Sequence, residues 1–392
     1  MNAGLPPLSL YVHLPWCVSK CPYCDFNSHV AGPRMDRERY VRALLADLAE
    51  EAPRLGGRPV VSVFLGGGTP SLFAPHEIEK LLSGVHARLR LVPDVEITME
   101  ANPGTVERGR LADYRAAGVN RLSLGVQSFD DAMLARLGRI HDAADVLAAW
   151  REAEAARFDA VNLDLMYALP GQDAHAAAAD LRHALALAPA HLSWYELTLE
   201  PNTRFHARPP PDLPGEEEVL AMEAAGLALL AGAGYERYEV SAFARPGFRC
   251  RHNLNYWQFG DYAGIGAGAH GKLTADGGAW RRVKPAHPRA YMEAAEAGRW
   301  PPAVRVEPRD LAFEFMLNAL RLPAGFEEAT FTARTGLPFA AVAGAVARAH
   351  GLGLMERPAA GRWRPTARGL ALLNDLQAMF LPSAEGRRAG AV

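Results

Sequence analysis

Apolar residues along this chain gather in short runs, and the runs alternate with longer stretches of helical spacing. Leu8–His13, Val60–Leu65, Val95–Glu100, Arg121–Val126, Ala160–Met166 and His191–Thr198 read as strands. Between them, Asp36–Arg54, Pro75–Leu89, Val106–Ala117, Asp131–Leu137, Ala143–Ala156 and Ala174–Ala186 read as helices. In the first of these, Tyr40, Leu44, Leu45 and Leu48 share one face. Strands separated by helices predict an α/β protein whose parallel sheet is joined by right-handed crossovers. Six such units fall short of the eight that close a barrel. The expectation for residues 1–200 is a partial parallel (βα)6 TIM-like barrel.

The pattern changes after the last strand. Pro201–Pro214, with its run of prolines, predicts a loop able to cover the barrel mouth. Glu216–Leu230 reads as a helix and Tyr235–Phe243 as a strand, within an extension that spans residues 201–303. From Val304, three helical stretches (Asp310–Leu320, Glu327–Thr335, Pro338–His350) precede a small hairpin of Leu352–Glu356 and Gly361–Arg364, then helix Thr366–Leu381. That order predicts a C-terminal winged-helix-like α+β domain over residues 304–382. Residues 383–392 are small, polar or basic and are expected to form a disordered tail.

Composition narrows the function. Net charge is −2 with no long basic run, which argues against nucleic acid as a partner even for a winged-helix shape. A lid or docking role suits that domain better. Met1–Pro7 has neither a basic start nor an apolar run, and no stretch reaches about 18 uninterrupted apolar residues. A cytoplasmic protein without a membrane span is expected.

Three of the four cysteines fall together as Cys17-x3-Cys21-x2-Cys24, directly after the first strand. Three thiolates can hold three irons of a 4Fe-4S cluster, leaving one iron open to a small molecule. Zinc, with His13 or His29 as a fourth ligand, and a disulfide are the competing uses. Polar residues also arrive at later strand ends: Gly66-Gly67-Gly68-Thr69-Pro70, Glu100, Gln127 and Asp164. Function gathers at that rim in parallel barrels, although a lone acid there is usually a cap or surface group. Tyr262–Gly271 contains a formal G-x-G-x-x-G, but no clear strand precedes it and no helix obviously follows, so a dinucleotide site is rejected.

The run YVHLPWCVSKCPYCDFNS resembles the radical S-adenosylmethionine (SAM) superfamily, and within it the anaerobic coproporphyrinogen-III oxidase-like branch, whose members include heme chaperones. Nearly the whole chain follows that family's order of motifs. The resemblance implies a 4Fe-4S cluster on Cys17, Cys21 and Cys24, with SAM lined by Tyr11, Gly67, Gly68, Thr69, Glu100, Gln127, Arg139 and Asp164. Thr198 and His270 are further candidates for the rim. Arg251–Trp257 carries HNxxYW, similar to a heme-associated motif of the chaperone members, and makes His252 the candidate heme ligand, with Tyr256 and Trp257 as flat surfaces beside a macrocycle. A packed loop whose histidine only hydrogen-bonds is the competing reading. Cys250 reads as a buried or idle thiol, with cluster or heme ligation as lesser alternatives.

Two functions follow from that branch. One is a heme chaperone that binds heme, a cluster and SAM and delivers heme to an acceptor protein. The other is an oxygen-independent coproporphyrinogen III dehydrogenase, which decarboxylates propionates through a 5′-deoxyadenosyl radical and needs a flavodoxin- or ferredoxin-like electron donor. The dehydrogenase pattern has a further cysteine two positions after the last cluster cysteine; here that position is Phe26, which favours the chaperone. A structural zinc or cluster protein without SAM chemistry is the third possibility, and it gives the polar strand ends no use.

Overall fold

Side chains alternate between the two faces of a strand, and here the faces differ in kind. The computed structural model describes residues 4–32, 35–105, 110–275 and 277–382. Six strands pair in parallel, each with the next in chain order: β1 (Leu8–Leu14), β2 (Val60–Gly67), β3 (Leu91–Ala101), β4 (Arg121–Gln127), β5 (Ala160–Tyr167) and β6 (His191–Glu196). Leu10, Val12, Val63, Leu65, Leu122, Leu124, Leu163 and Leu165 point to one face and are fully buried in the main core. The opposite, inner face carries Ser9, Tyr11, Ser62, Phe64, Thr98, Glu100, Ser123 and Asp164. Register places Tyr11 beside Phe64, Glu100 beside Ser123, and Asp164 beside Ser193. A barrel with a closed, packed interior would need apolar residues at those positions. This one keeps a polar lumen.

Both edges of the parallel sheet are extended. A hairpin, β7 (Glu236–Glu239) and β8 (Ala242–Ala244), adds antiparallel to β6; it replaces the single strand expected over Tyr235–Phe243. On the other side β9 (Asp261–Ile265) runs parallel to β1, followed antiparallel by β10 (His270–Ala275), β11 (Gly278–Val283) and β12 (Val304–Arg305). Among the described residues the outer strands of this sheet, β7 and β12, do not pair with each other, and the barrel there is partial. A strand thus does precede Gly266, contrary to expectation. The dinucleotide reading fails for the other reason: β10, not a helix, follows the glycines.

The C-terminal unit has a core of its own, built on Phe315, Phe331, Val346 and Leu376. Helices Pro308–Ala319, Glu328–Thr335 and Ala340–Gly351 pack with a three-stranded sheet of Phe326–Glu327, Arg362–Pro365 and Met355–Ala359. The helix expected over Thr366–Leu381 is two, Ala367–Ala371 and Leu373–Ala378, because Leu372 at φ −107°, ψ 39° leaves the helical region. Helix Arg110–Ala116 is the described part of the one expected from Val106; residues 106–109 and the expected tail 383–392 lie outside the described residues. Among the described residues no helix is long and apolar enough to cross a membrane.

Candidate functional site

The cysteine loop is held from three sides. Trp16–Cys17 pairs in parallel with His29–Val30, so the loop closes on its own base. The glycine run at the end of β2 anchors it from beside: the Gly68 N–H donates to Leu14 O (2.8 Å) and the Thr69 N–H to Trp16 O (2.7 Å). A Cβ on Gly67, at φ +118°, would lie 2.5 Å from the His13 ring, and one on Gly68 would lie 2.6 Å from Trp16 O. Only glycine allows that approach. From inside, His13 Nε2 meets Asn27 O at 2.8 Å, and Asn27 Nδ2 donates to Ala267 O (2.9 Å) and Ala286 O (2.8 Å).

All three thiols are free and half-buried. Burial pushes the Cys17 and Cys24 thiols up, and Cys21, a neighbour of both, pushes further; the Thr69 hydroxyl near Cys17 pulls it back. A bound cation would reverse the balance and hold thiolates. Among the described residues no three His, Cys, Asp or Glu side chains converge in the manner of a single-ion site. A cluster asks for something different, since each thiolate takes its own iron. Arg139 donates from Nη1 to Cys21 Sγ at 3.5 Å and from Nη2 to Gly125 O at 2.9 Å.

The other rim residues meet around the lumen. The Gly67 N–H donates to Glu100 Oε2 at 3.1 Å. Burial, then the nearby Asp164, push the Glu100 carboxyl up to about 7. Burial raises Asp164 as well, against hydrogen bonds from Ser123 and Asn162, the latter held in turn by Ser193. Tyr11 lies in the same field: burial and Glu100 raise its phenol, which reaches His13 Nδ1 at 2.9 Å. Gln127 sits at φ +71° and accepts at Oε1 from the Tyr195 hydroxyl (2.8 Å). A Cβ on Gly125 would lie 3.1 Å from Gln127 Nε2 and 3.3 Å from Arg139 Nη2. Two donors therefore flank a position with no side chain, a cradle for a ligand carboxylate. Arg139 Nε is buried with no partner. The amides of Gly68 and Thr69 are already engaged in anchoring the loop, so this run has carbonyls rather than N–H groups to offer, which suits an ammonium group.

The profile described as Radical SAM superfamily matches residues 11–184, and that described as HemN C-terminal domain matches residues 306–372. The heme chaperone HemW of Escherichia coli (strain K12) is 48% identical over 379 residues, which cover 96% of this chain and 99% of that one. The heme chaperone HemW of Haemophilus influenzae is 44% identical, over 96% of this chain and 98% of its own. The chain belongs to the HemW family, within the radical SAM superfamily. Its fold is also that of a solved structure, coproporphyrinogen III oxidase (HemN) from Escherichia coli, with TM-score 0.81 and 25% identity over 97% of this chain and 91% of that one.

In this HemW-family chain the HNxxYW run is a helix, Arg251–Trp257, seated in the lower half of the lumen. The competing reading expected a loop here; its packed, hydrogen-bonding histidine is present, on a helix. Glu96 of β3 caps it, accepting from the N–H groups of Arg251 (2.9 Å) and His252 (3.3 Å). Asn255 Nδ2 donates to Ser9 Oγ at 2.9 Å, Ser9 pairs with Ser62 at 2.7 Å, and Ser62 Oγ lies 3.3 Å from His252 Nδ1. The His252 ring packs 4.9 Å from Phe64 and 6.2 Å from Tyr11. Burial holds it down at about 4, so it is neutral at pH 7. Tyr256 and Trp257 do not flank it: Tyr256 packs on Tyr262, and Trp257 lies under Arg321, whose guanidinium is 4.3 Å from the ring.

Cys250 is buried 3.4 Å from Glu96 Oε1, two pleat repeats below Glu100 on the same strand, and burial pushes its thiol up to about 12. It belongs to the foot of the lumen, not to the cysteine loop. His270 is exposed at the start of β10, and Thr198 is exposed past the end of β6. Sequence reasoning missed Ser123, Asn162, Ser193 and Tyr195, which hold Asp164 and Gln127 in place. The available signal was their period-two spacing inside otherwise apolar strands.

Proposed function

We propose that this chain is a heme chaperone, binding heme alongside a 4Fe-4S cluster and SAM and handing the heme to an acceptor protein. The observation that carries the reading is near full-length identity to proteins described as heme chaperones, at 48% and 44%, against 25% for the coproporphyrinogen oxidase. Phe26 at the second position after Cys24 supports the same choice.

Cys17, Cys21 and Cys24 would hold the cluster, which when bound supplies a low-potential electron and an open iron. Tyr11, Gly67, Gly68, Thr69, Glu100, Gln127, Arg139 and Asp164 would hold SAM, with the Gln127–Arg139 pair suited to its carboxylate and carbonyls of the glycine run to its ammonium. His252, neutral and facing the lumen, would ligate heme iron. A flavodoxin- or ferredoxin-like donor is needed only if SAM is cleaved. The three unpaired thiols suit a reducing compartment such as the cytoplasm.

Anaerobic reconstitution should give about four irons and four sulfides per chain, lost when the three cysteines become Ala. Hemin should produce a saturable Soret change that weakens in His252→Ala. Sustained conversion of coproporphyrinogen III by the reconstituted protein would overturn the chaperone reading in favour of the dehydrogenase.

A further inference from the structure

At the foot of the sheet, opposite the cysteines, three cations gather around one carboxylate. Asp261, fully buried, receives Arg58 Nη1 at 2.8 Å and Lys272 Nζ at 3.1 Å. Its remaining capacity goes to Thr274, whose N–H and hydroxyl donate at 3.0 and 2.8 Å. Arg334, from helix Glu328–Thr335, is the third cation. It lies close enough to feel both Asp261 and Arg58, and burial lowers its pKa. Among the described residues its guanidinium makes no hydrogen bond or ion pair. One carboxylate already shared by two cations leaves the region with an excess of positive charge.

Arg334 opens into a cavity of about 280 Å³ between the end of helix Arg251–Trp257 and the C-terminal unit. Thr330, one helical turn before Arg334, faces the same space, as do Gln258 and Arg362. The edge of Phe326, 6% exposed, is the aromatic part of its floor, with Phe315 fully buried behind it. Glu327, the one acid of the lining, is exposed. A guanidinium matches a carboxylate through two parallel N–H···O bonds. An inorganic anion could satisfy that charge but would leave the edge of Phe326 uncovered. The volume, at the lower end for ligand sites, admits a body about the size of one aromatic ring.

We propose that this cavity is a binding site for a small apolar monocarboxylate, held by Arg334 and packed on the edge of Phe326. The site is separate from the cluster, SAM and heme residues. Because Gln258 caps the helix that carries His252, occupancy would also bias how that helix is seated.

The test uses the full-length, anaerobically reconstituted protein, with benzoate as the probe and benzamide and chloride as controls. Benzoate should raise the thermal midpoint saturably, with affinity on the order of millimolar for so small a ligand. Benzamide and chloride at equal concentration should not. Arg334→Gln should weaken the response about tenfold or more, the usual effect of losing charged hydrogen bonds. Thr330→Met, which fills the cavity and leaves the guanidinium, should abolish it. Equal shifts with benzamide, an undiminished response in either variant, or no shift up to about 50 mM benzoate would overturn the site. Hemin titration reads the chaperone proposal separately, so either can fail alone.

Discussion

The Tyr195 hydroxyl donates to Gln127 Oε1 at 2.8 Å, and this bond fixes which end of the Gln127 amide faces the lumen. With the oxygen held, Nε2 turns toward Gly125 and stands beside Arg139 Nη2. Gln127 is 5% exposed and at φ +71°, a conformation that costs a non-glycine residue about 1–3 kcal/mol and persists only where the surroundings impose it. Tyr195→Phe frees the amide to flip and should weaken SAM binding about tenfold, the worth of roughly 1.4 kcal/mol. Iron and sulfide content should stay unchanged. Anaerobic equilibrium dialysis with labelled SAM measures the first and elemental analysis the second; unaltered SAM affinity would mean that Tyr195 only packs.

The order of strands and helices was legible because each element repeats at its own period. The cysteine loop was legible because its spacing is local. What lay beyond reach was long-range. Asp261–Ile265 becomes a strand by pairing with Leu8–Val12, some 250 residues away, and nothing in its own five residues announces that partner. The HNxxYW run is a helix whose N-terminus is capped by Glu96 from another strand. Nor could spacing tell that Tyr256 and Trp257 turn away from His252, since that follows from the packing of Tyr262 and Arg321.

Glu100 costs the fold stability wherever its buried carboxyl is ionised. Its carboxyl rises to about 7, above the ordinary 4.5, through burial and Asp164. Between those values the folded state binds more protons than the unfolded one, so stability falls as pH rises through the window and levels off above it. Glu100→Gln removes the charge while keeping the shape. Without SAM it should raise stability by about 1–2 kcal/mol at pH 8, a figure reduced for water in the lumen, and by little at pH 5. SAM affinity should drop in the same variant. Urea unfolding at the two pH values decides it; equal effects at both would show that ionisation of Glu100 is not the cause.

Lys284 holds together the edge that closes over the cysteine loop. Its ammonium, 1% exposed, lies 2.5 Å from Asp47 Oδ1 and 2.6 Å from Glu51 Oε1. Asp47 Oδ2 accepts from the Tyr291 hydroxyl at 2.8 Å and from the Gly266 N–H at 3.3 Å, at the turn that packs on His13. Lys284→Met leaves two buried carboxylates with one fewer cation. That loss should cost about 3–5 kcal/mol. The reading is a lowered urea midpoint at pH 7.5; a variant as stable as the parent would mean that Arg282, 2.6 Å from Glu51, suffices alone.

His252 makes the heme proposal testable by pH. Burial lowers it to about 4, against 6.5 for an ordinary histidine. The unfolded chain therefore binds the extra proton between those values, and the folded chain does not. Stability rises with pH through that window, is fully present above about 6.5, and is lost as pH falls toward 4. Replacing His252 by Asn should flatten this slope by up to about 3 kcal/mol. Heme ligation needs the neutral imidazole, so the same shift predicts a Soret titration nearly independent of pH between about 5.5 and 7.5. An exposed histidine with an ordinary pKa would be about nine-tenths protonated at the lower value and should lose roughly tenfold in affinity. A tenfold loss would move the ligand away from the lumen to an exposed histidine. A flat profile that vanishes in His252→Ala would keep it in the lumen, packed on Phe64 and Tyr11.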